Sequence, residues 1–161
     1  MTALWSALER LPWSIAIREG SYLFPTIETV HVLAITLLVG TITIVDLRLL
    51  GLTDSGKSLR ALSAQILPFT WGSFCVATIS GALMFASRAT VYAGTAPFQA
   101  KMGVLLAAGA NMLLFQVILF RDVAQWDRLA PPPRAKLAGA LSLGFWIAVV
   151  VLGRWTGFVM S

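Results

Sequence analysis

Four long apolar segments decide what this chain can become. They run from about Tyr22 to Leu50, Ile66 to Ala86, Phe98 to Phe120 and Leu137 to Met160. Each reaches the roughly 20 residues that cross a hydrocarbon core of about 30 Å. Backbone groups in lipid must be hydrogen-bonded within the protein, so such segments are helices unless they close a barrel. No barrel-type alternation is present, and Leu, Ala and Met are plentiful. Composition agrees: 58% of the 161 residues are hydrophobic and 12% are charged, against about 25% charged in a soluble domain. A soluble enzyme and a disordered chain are both excluded. The expected fold is all-α: an integral membrane four-helix bundle, a single domain over residues 1–161.

The N-terminal stretch reads differently. Glu9, Arg10, Arg18 and Glu19 interrupt it, so it lacks the unbroken apolar core of a cleaved signal peptide. Leu4, Trp5, Leu8, Leu11, Trp13 and Ile15 give it one apolar side, which fits a short interfacial helix over about residues 4–19. The lone Cys75 excludes an internal disulfide framework and any multi-cysteine metal site.

The net charge of +5 is explained by lipid and topology, without nucleic acid. Arg48, Lys57, Arg60, Arg121, Arg128, Arg134 and Lys136 lie on one side. Arg10, Arg18, Arg88, Lys101 and Arg154 lie on the other. Basic residues concentrate on the cytoplasmic side, so the expected setting is the bacterial inner membrane, with both termini outside the cytoplasm. Gly51 to Ser58 matches G-x-x-x-x-G-K-[ST] letter for letter. A phosphate loop needs a strand before it, and here a membrane helix precedes it. The stretch reads as a turn, and no nucleotide is expected at 51–58.

The polar residues inside the apolar segments carry the chemistry, because ionisable groups there are costly and face a site or a partner. His31 is the sole histidine, and Glu28 lies three residues before it on the same helix face. Lys101 lies just inside the third segment. Segments one and three run in one direction and two and four in the other. Glu28, His31, Arg88, Lys101 and Arg154 therefore share one half of the bilayer whichever way the protein inserts. A neutral imidazole is a common metal ligand and an axial haem ligand. A deprotonated Lys101 would supply the second ligand, and Arg88 and Arg154 suit propionates. Trp71, Phe74, Phe115, Trp146 and Trp155 are candidates for flat apolar walls. The bland reading is that His31 bonds Glu28 or a neighbouring helix and binds nothing. Lys101 and Arg154 are then end anchors, the aromatics pack, and Asn111 joins helices. Small residues four apart, Ala77 with Gly81, Gly103 with Ala107 and Gly153 with Gly157, suit close helix contact.

The stretch Phe24-Pro25-Thr26-Ile27-Glu28-Thr29-Val30-His31-Val32-Leu33, followed by Gly40 and Asp46-Leu47-Arg48, resembles a family of small bacterial membrane proteins known only as a domain of unknown function. So do Phe98-Gln99-Ala100-Lys101-Met102, Asn111 and Phe115. A more distant resemblance is to HemJ-type protoporphyrinogen oxidases and the related CopD-like membrane proteins. The HemJ-type proteins have a histidine in the first membrane helix, an arginine about 16 residues on, and an aromatic-rich segment ending in Ala-Lys. His31 with Arg48, and Phe98-Gln99-Ala100-Lys101, match in order and approximate spacing. The resemblance implies that His31 and Lys101 bind b-type haem. This chain departs from that pattern at Leu47, where a proline is found, at Gln99, where a histidine is found, and in lacking the further histidines. The resemblance therefore reaches haem binding and not protoporphyrinogen oxidation.

Three readings follow. One is a haem b redox protein passing electrons between a quinone or partner protein and an acceptor. Another is a copper or small-ion transporter using His31, Glu28, Met84 and Met102. The last is a structural or accessory subunit without cofactor. A homo-oligomer is compatible with each.

Overall fold

The computed structural model describes residues 2–53, 58–119, 123–126 and 130–160. Every regular element among them is helical. Helices α1 (Thr2–Glu9) and α2 (Pro12–Glu19) precede α3 (Leu23–Leu50) and α4 (Leu59–Ser87). The short α5 (Ala89–Gly94) leads into α6 (Ala96–Leu114), which continues as a π-helical turn over Phe115–Leu119. Then come α7 (Val123–Trp126) and α8 (Pro133–Met160). Helices α3, α4, α6 with its π-helical extension, and α8 are long and apolar enough to cross a membrane. The protein is a multi-pass membrane protein.

The first span begins and ends where the apolar pattern does. Gly51 stops α3 by adopting a left-handed conformation, φ 76°, which costs glycine no steric strain. Its N–H bonds the Arg48 carbonyl at 3.1 Å.

The second span departs from expectation. It starts at Leu59, not near Ile66. Ser58 caps it, its Oγ accepting from the Ala61 N–H at 3.0 Å, which satisfies one of the free donors of the first turn. Leu59 is fully buried with Leu49, Val123 and Ala135 in an apolar cluster. Hydropathy alone reads Arg60, Ser63 and Gln65 as loop because it counts polar residues and cannot see that Leu59 docks. The fourth span likewise starts earlier, at Pro133, since proline is well placed in a first helical turn.

The N-terminal stretch is two helices. Leu11 is extended and Pro12 opens the second helix, because proline lacks the N–H that would continue the first. Neither lies free. Trp5 of α1 packs edge-on against Phe85 of α4, ring centroids 5.2 Å apart, and Ser14 and Ile17 of α2 are buried. Glu9 accepts from both the N–H and the Oγ1 of Thr90, at 2.8 and 2.7 Å. These two bonds hold its carboxyl below the usual carboxylate range and tie α1 to the start of α5.

The spanning helices pack in the order α4, α3, α8, α6. Helix α3 lies between α4 and α8, and α6 packs on α8. Helices α4 and α6 do not pack along one another. They meet at one end, where Phe85 stacks on Phe98 with centroids 5.3 Å apart and planes 11° from parallel. For brevity, the half of the bundle where α3 and α6 begin is the outer half, and the opposite half is the inner.

Candidate functional site

Helix α3 carries His31 on the side that faces α4. Its Nδ1 lies 2.9 Å from Ser80 Oγ. The Ser80 hydroxyl donates to the Val76 carbonyl at 2.6 Å, and a hydroxyl has one proton to give. Ser80 is then the acceptor, and Nδ1 carries the hydrogen of the neutral ring. The lone pair of neutral His31 falls on Nε2. A histidine that ligates a metal is held in this way, its second nitrogen donating to an oxygen that fixes tautomer and ring orientation.

Gly81 lets the ring lie where it does. A β-carbon there would stand 2.9 Å from His31 Cε1, 3.5 Å from Nδ1 and 3.8 Å from Nε2. Any side chain at position 81 would displace the imidazole. The small pair Ala77 and Gly81 thus serves a side chain on the neighbouring helix as well as a helix contact.

Lys101 approaches from α6. Its ammonium lies over α8 at Gly153, where a β-carbon would be 3.5 Å from Nζ and 3.8 Å from Cε. The side chain is half-buried. The structure thus places Lys101 against α8 and His31 against α4, in the same half of the bundle. Gly103 and Gly157 make no such contact, since a β-carbon at either would meet nothing within 4 Å.

Four aromatic rings cluster further toward the outer end: Trp5, Phe85, Tyr92 and Phe98. Tyr92 packs against Phe85 and Phe98, with centroids 6.2 and 5.5 Å apart. Phe85 is one turn beyond Gly81, and Phe98 one turn before Lys101, so the cluster stands about 5 Å further out at 1.5 Å per residue. These rings are not the ones expected as walls. Trp71, Phe74 and Trp155 are exposed on the outside of the bundle, where lipid rewards apolar area as well as a protein neighbour does. Phe115 packs with the inner apolar cluster. Aromatic content is visible in sequence, but which face of a nearly all-apolar helix turns inward is not.

The remaining charged candidates lie outside the helix contacts. Glu28 is exposed and makes no hydrogen bond to His31. It sits close enough to Tyr92 that burial first, and then the Glu28 charge, push the phenol up from its ordinary value, with Arg88 opposing. Arg88 and Arg154 are exposed at the outer end. Among the described residues, no three of His, Cys, Asp and Glu converge as a metal-binding group. Met102 is exposed. As for the 51–58 turn, a helix and not a strand precedes it, and Asp54 to Lys57 lie outside the described residues.

One buried polar region was missed by sequence reasoning. Asp46, 4% exposed, lies where α3 meets α8. A β-carbon at Gly139 would stand 3.0 Å from Leu49 Cβ and 3.1 Å from the Asp46 carbonyl oxygen. The only sequence signal was a carboxylate inside an apolar run, four residues before its end. Asn111 does join helices, its Nδ2 donating to the Ala138 carbonyl of α8 at 3.0 Å.

No curated protein and no solved structure matches the chain. Residues 16–159 match the model of a family of unknown function, DUF6644, and the chain belongs to that family.

Proposed function

We propose that this protein is a membrane redox protein that binds b-type haem through His31, with Lys101 as the second ligand. One observation carries the reading: Ser80 Oγ lies 2.9 Å from His31 Nδ1, so that Nε2 is available when Nδ1 bears the proton, while Lys101 stands against α8 in the same half of the bundle. The fit rests on donor chemistry. A neutral imidazole and a deprotonated amine are both competent iron ligands. Helices α4 and α6 do not pack along one another. The distant resemblance to HemJ-type proteins supports the same two residues.

When bound, haem b supplies one-electron cycling of iron. The chain's own residues would do the rest. Ser80 fixes the imidazole tautomer, Gly81 makes space for the ring, and the cluster of Trp5, Phe85, Tyr92 and Phe98 shields the outer side from water. Arg88 and Arg154, exposed at the outer end, are placed to meet propionates or an anionic partner. Electron exchange with a quinone or a partner protein is part of the proposal.

The test is an optical spectrum of detergent-purified protein from cells supplied with haem precursor. The expected result is a Soret band with reducible α and β bands, lost in His31→Ala and shifted in Lys101→Met. A colourless wild-type protein overturns the reading. A second reading has its own support: the His31–Ser80 bond by itself joins α3 to α4, as an accessory subunit without cofactor would need. In that case His31→Ala changes stability or assembly and no chromophore. The copper or small-ion reading relies on methionines as well as His31 and Glu28. Metal analysis of the same preparation tests it.

A further inference from the structure

The inner half holds a buried carboxyl that the haem reading does not use. Asp46 is 4% exposed, bonds Ser142 of α8, and has an Oδ2 with no hydrogen-bond partner among the described residues. An ionised carboxylate has two anionic oxygens that each need donors, and burying one with a single hydroxyl partner is strongly unfavourable. A neutral acid leaves only a carbonyl-type oxygen unpaired, which is much cheaper. Among the described residues, the charged neighbours do not alter this. Arg48 is two residues along the same helix, a spacing that puts it on another face, and it has interactions of its own. Arg60 of α4 and Arg134 and Lys136 of α8 are exposed at the helix starts, with Lys136 alongside Gly51, beyond Asp46. No charged side chain from α2 is at this end, since α2 leads into the start of α3.

We infer that Asp46 is a proton-binding site of the bundle, holding one proton on its carboxyl at neutral pH and exchanging it with the side of the membrane on which α3 ends. The site sits at a close contact between α3 and α8, beside Gly139. Loss of the proton would leave a buried anion there and loosen the α3–α8 contact. Proton occupancy and helix packing are therefore one equilibrium. The Thr41–Thr70 hydroxyl pair, bonded at 3.0 Å, lies one to two turns further toward the outer half. The inference stands apart from the haem reading.

Infrared spectroscopy of the full chain in lipid vesicles at neutral pH tests it. The expected result is a carboxylic-acid C=O band that shifts when the aspartate carboxyl carbon carries ¹³C, shifts again in D₂O, and is absent from Asp46→Asn. The triple variant Asp54→Asn, Asp122→Asn, Asp127→Asn keeps the band and serves if Asp46→Asn does not fold. Absence of an isotope-sensitive acid band in the wild type overturns the proposal, as does its persistence in folded Asp46→Asn or its loss from the triple variant.

Discussion

The outer and inner halves of the bundle use glycine for opposite purposes. At Gly81, in the outer half, the missing side chain makes space for the end of another side chain, the His31 ring. At Gly139, in the inner half, it makes space for the backbone of α3, the Asp46 carbonyl and Leu49 Cβ. The same atom is absent in both places, but one neighbour can rotate and the other cannot. The outer half is thus built to hold a polar side chain in a chosen orientation, and the inner half to hold two helices together.

Gly139→Ala tests that contrast with the largest expected effect. The added methyl meets rigid backbone at 3.1 Å, and overpacking of this kind costs about 1–3 kcal/mol. A thermal melt in detergent should fall clearly. An unchanged melt would mean that α3 and α8 separate easily, and the contrast would be lost.

Ser80→Ala is expected next in size. If His31 ligates haem as proposed, removing the partner that fixes it lowers affinity about 10- to 100-fold, read as faster haem loss to an apo-protein acceptor. Unaltered haem retention would show that the Ser80 bond does not orient a ligand. Gly81→Ala sharpens the comparison further. Its closest contact, 2.9 Å to His31 Cε1, is shorter than that at Gly139, yet the expected loss of stability is smaller, because the imidazole can turn away. The ligand-sensitive spectrum should change more than the melt.

Asn111→Leu removes one bond between α6 and α8. Interhelical bonds in membranes average about 0.6 kcal/mol, so a small drop in unfolding free energy is expected. Smallest is the pH response of the N-terminal cap. The Glu9 carboxyl is lowered by its Thr90 bonds. A group lowered on folding contributes stability above its unfolded pKa and loses it as the pH falls through the folded value. Hydrogen exchange of the Thr90 amide should therefore quicken on acidification from the ordinary carboxylate range downward, and Glu9→Gln should weaken that dependence.

Much of this could be read from residue order. The apolar runs defined the spanning helices, and their alternating direction put His31 and Lys101 in one half of the membrane. Reading failed where burial overrode local polarity. Leu59 extends α4 through Arg60, Ser63 and Gln65 because it docks in the inner cluster. It failed also where several faces of a helix were equally apolar, so that Trp71, Phe74 and Trp155 were indistinguishable from Phe85 and Phe98. Asp46 drew no structural reading because the depth of a side chain depends on its neighbours, and Gly139 of α8 is nearly a hundred residues away.

The sequence by itself determined that the chain is helical, crosses the membrane repeatedly and confines its only imidazole to one half, because hydrocarbon admits no unpaired backbone. Tertiary structure alone decided which helices touch, what His31 bonds, which rings cluster at the outer end and which carboxyl is sealed between α3 and α8. Those outcomes depend on distances between residues remote in the chain, and lipid, being as apolar as the side chains it meets, leaves few marks in sequence of which face turns inward.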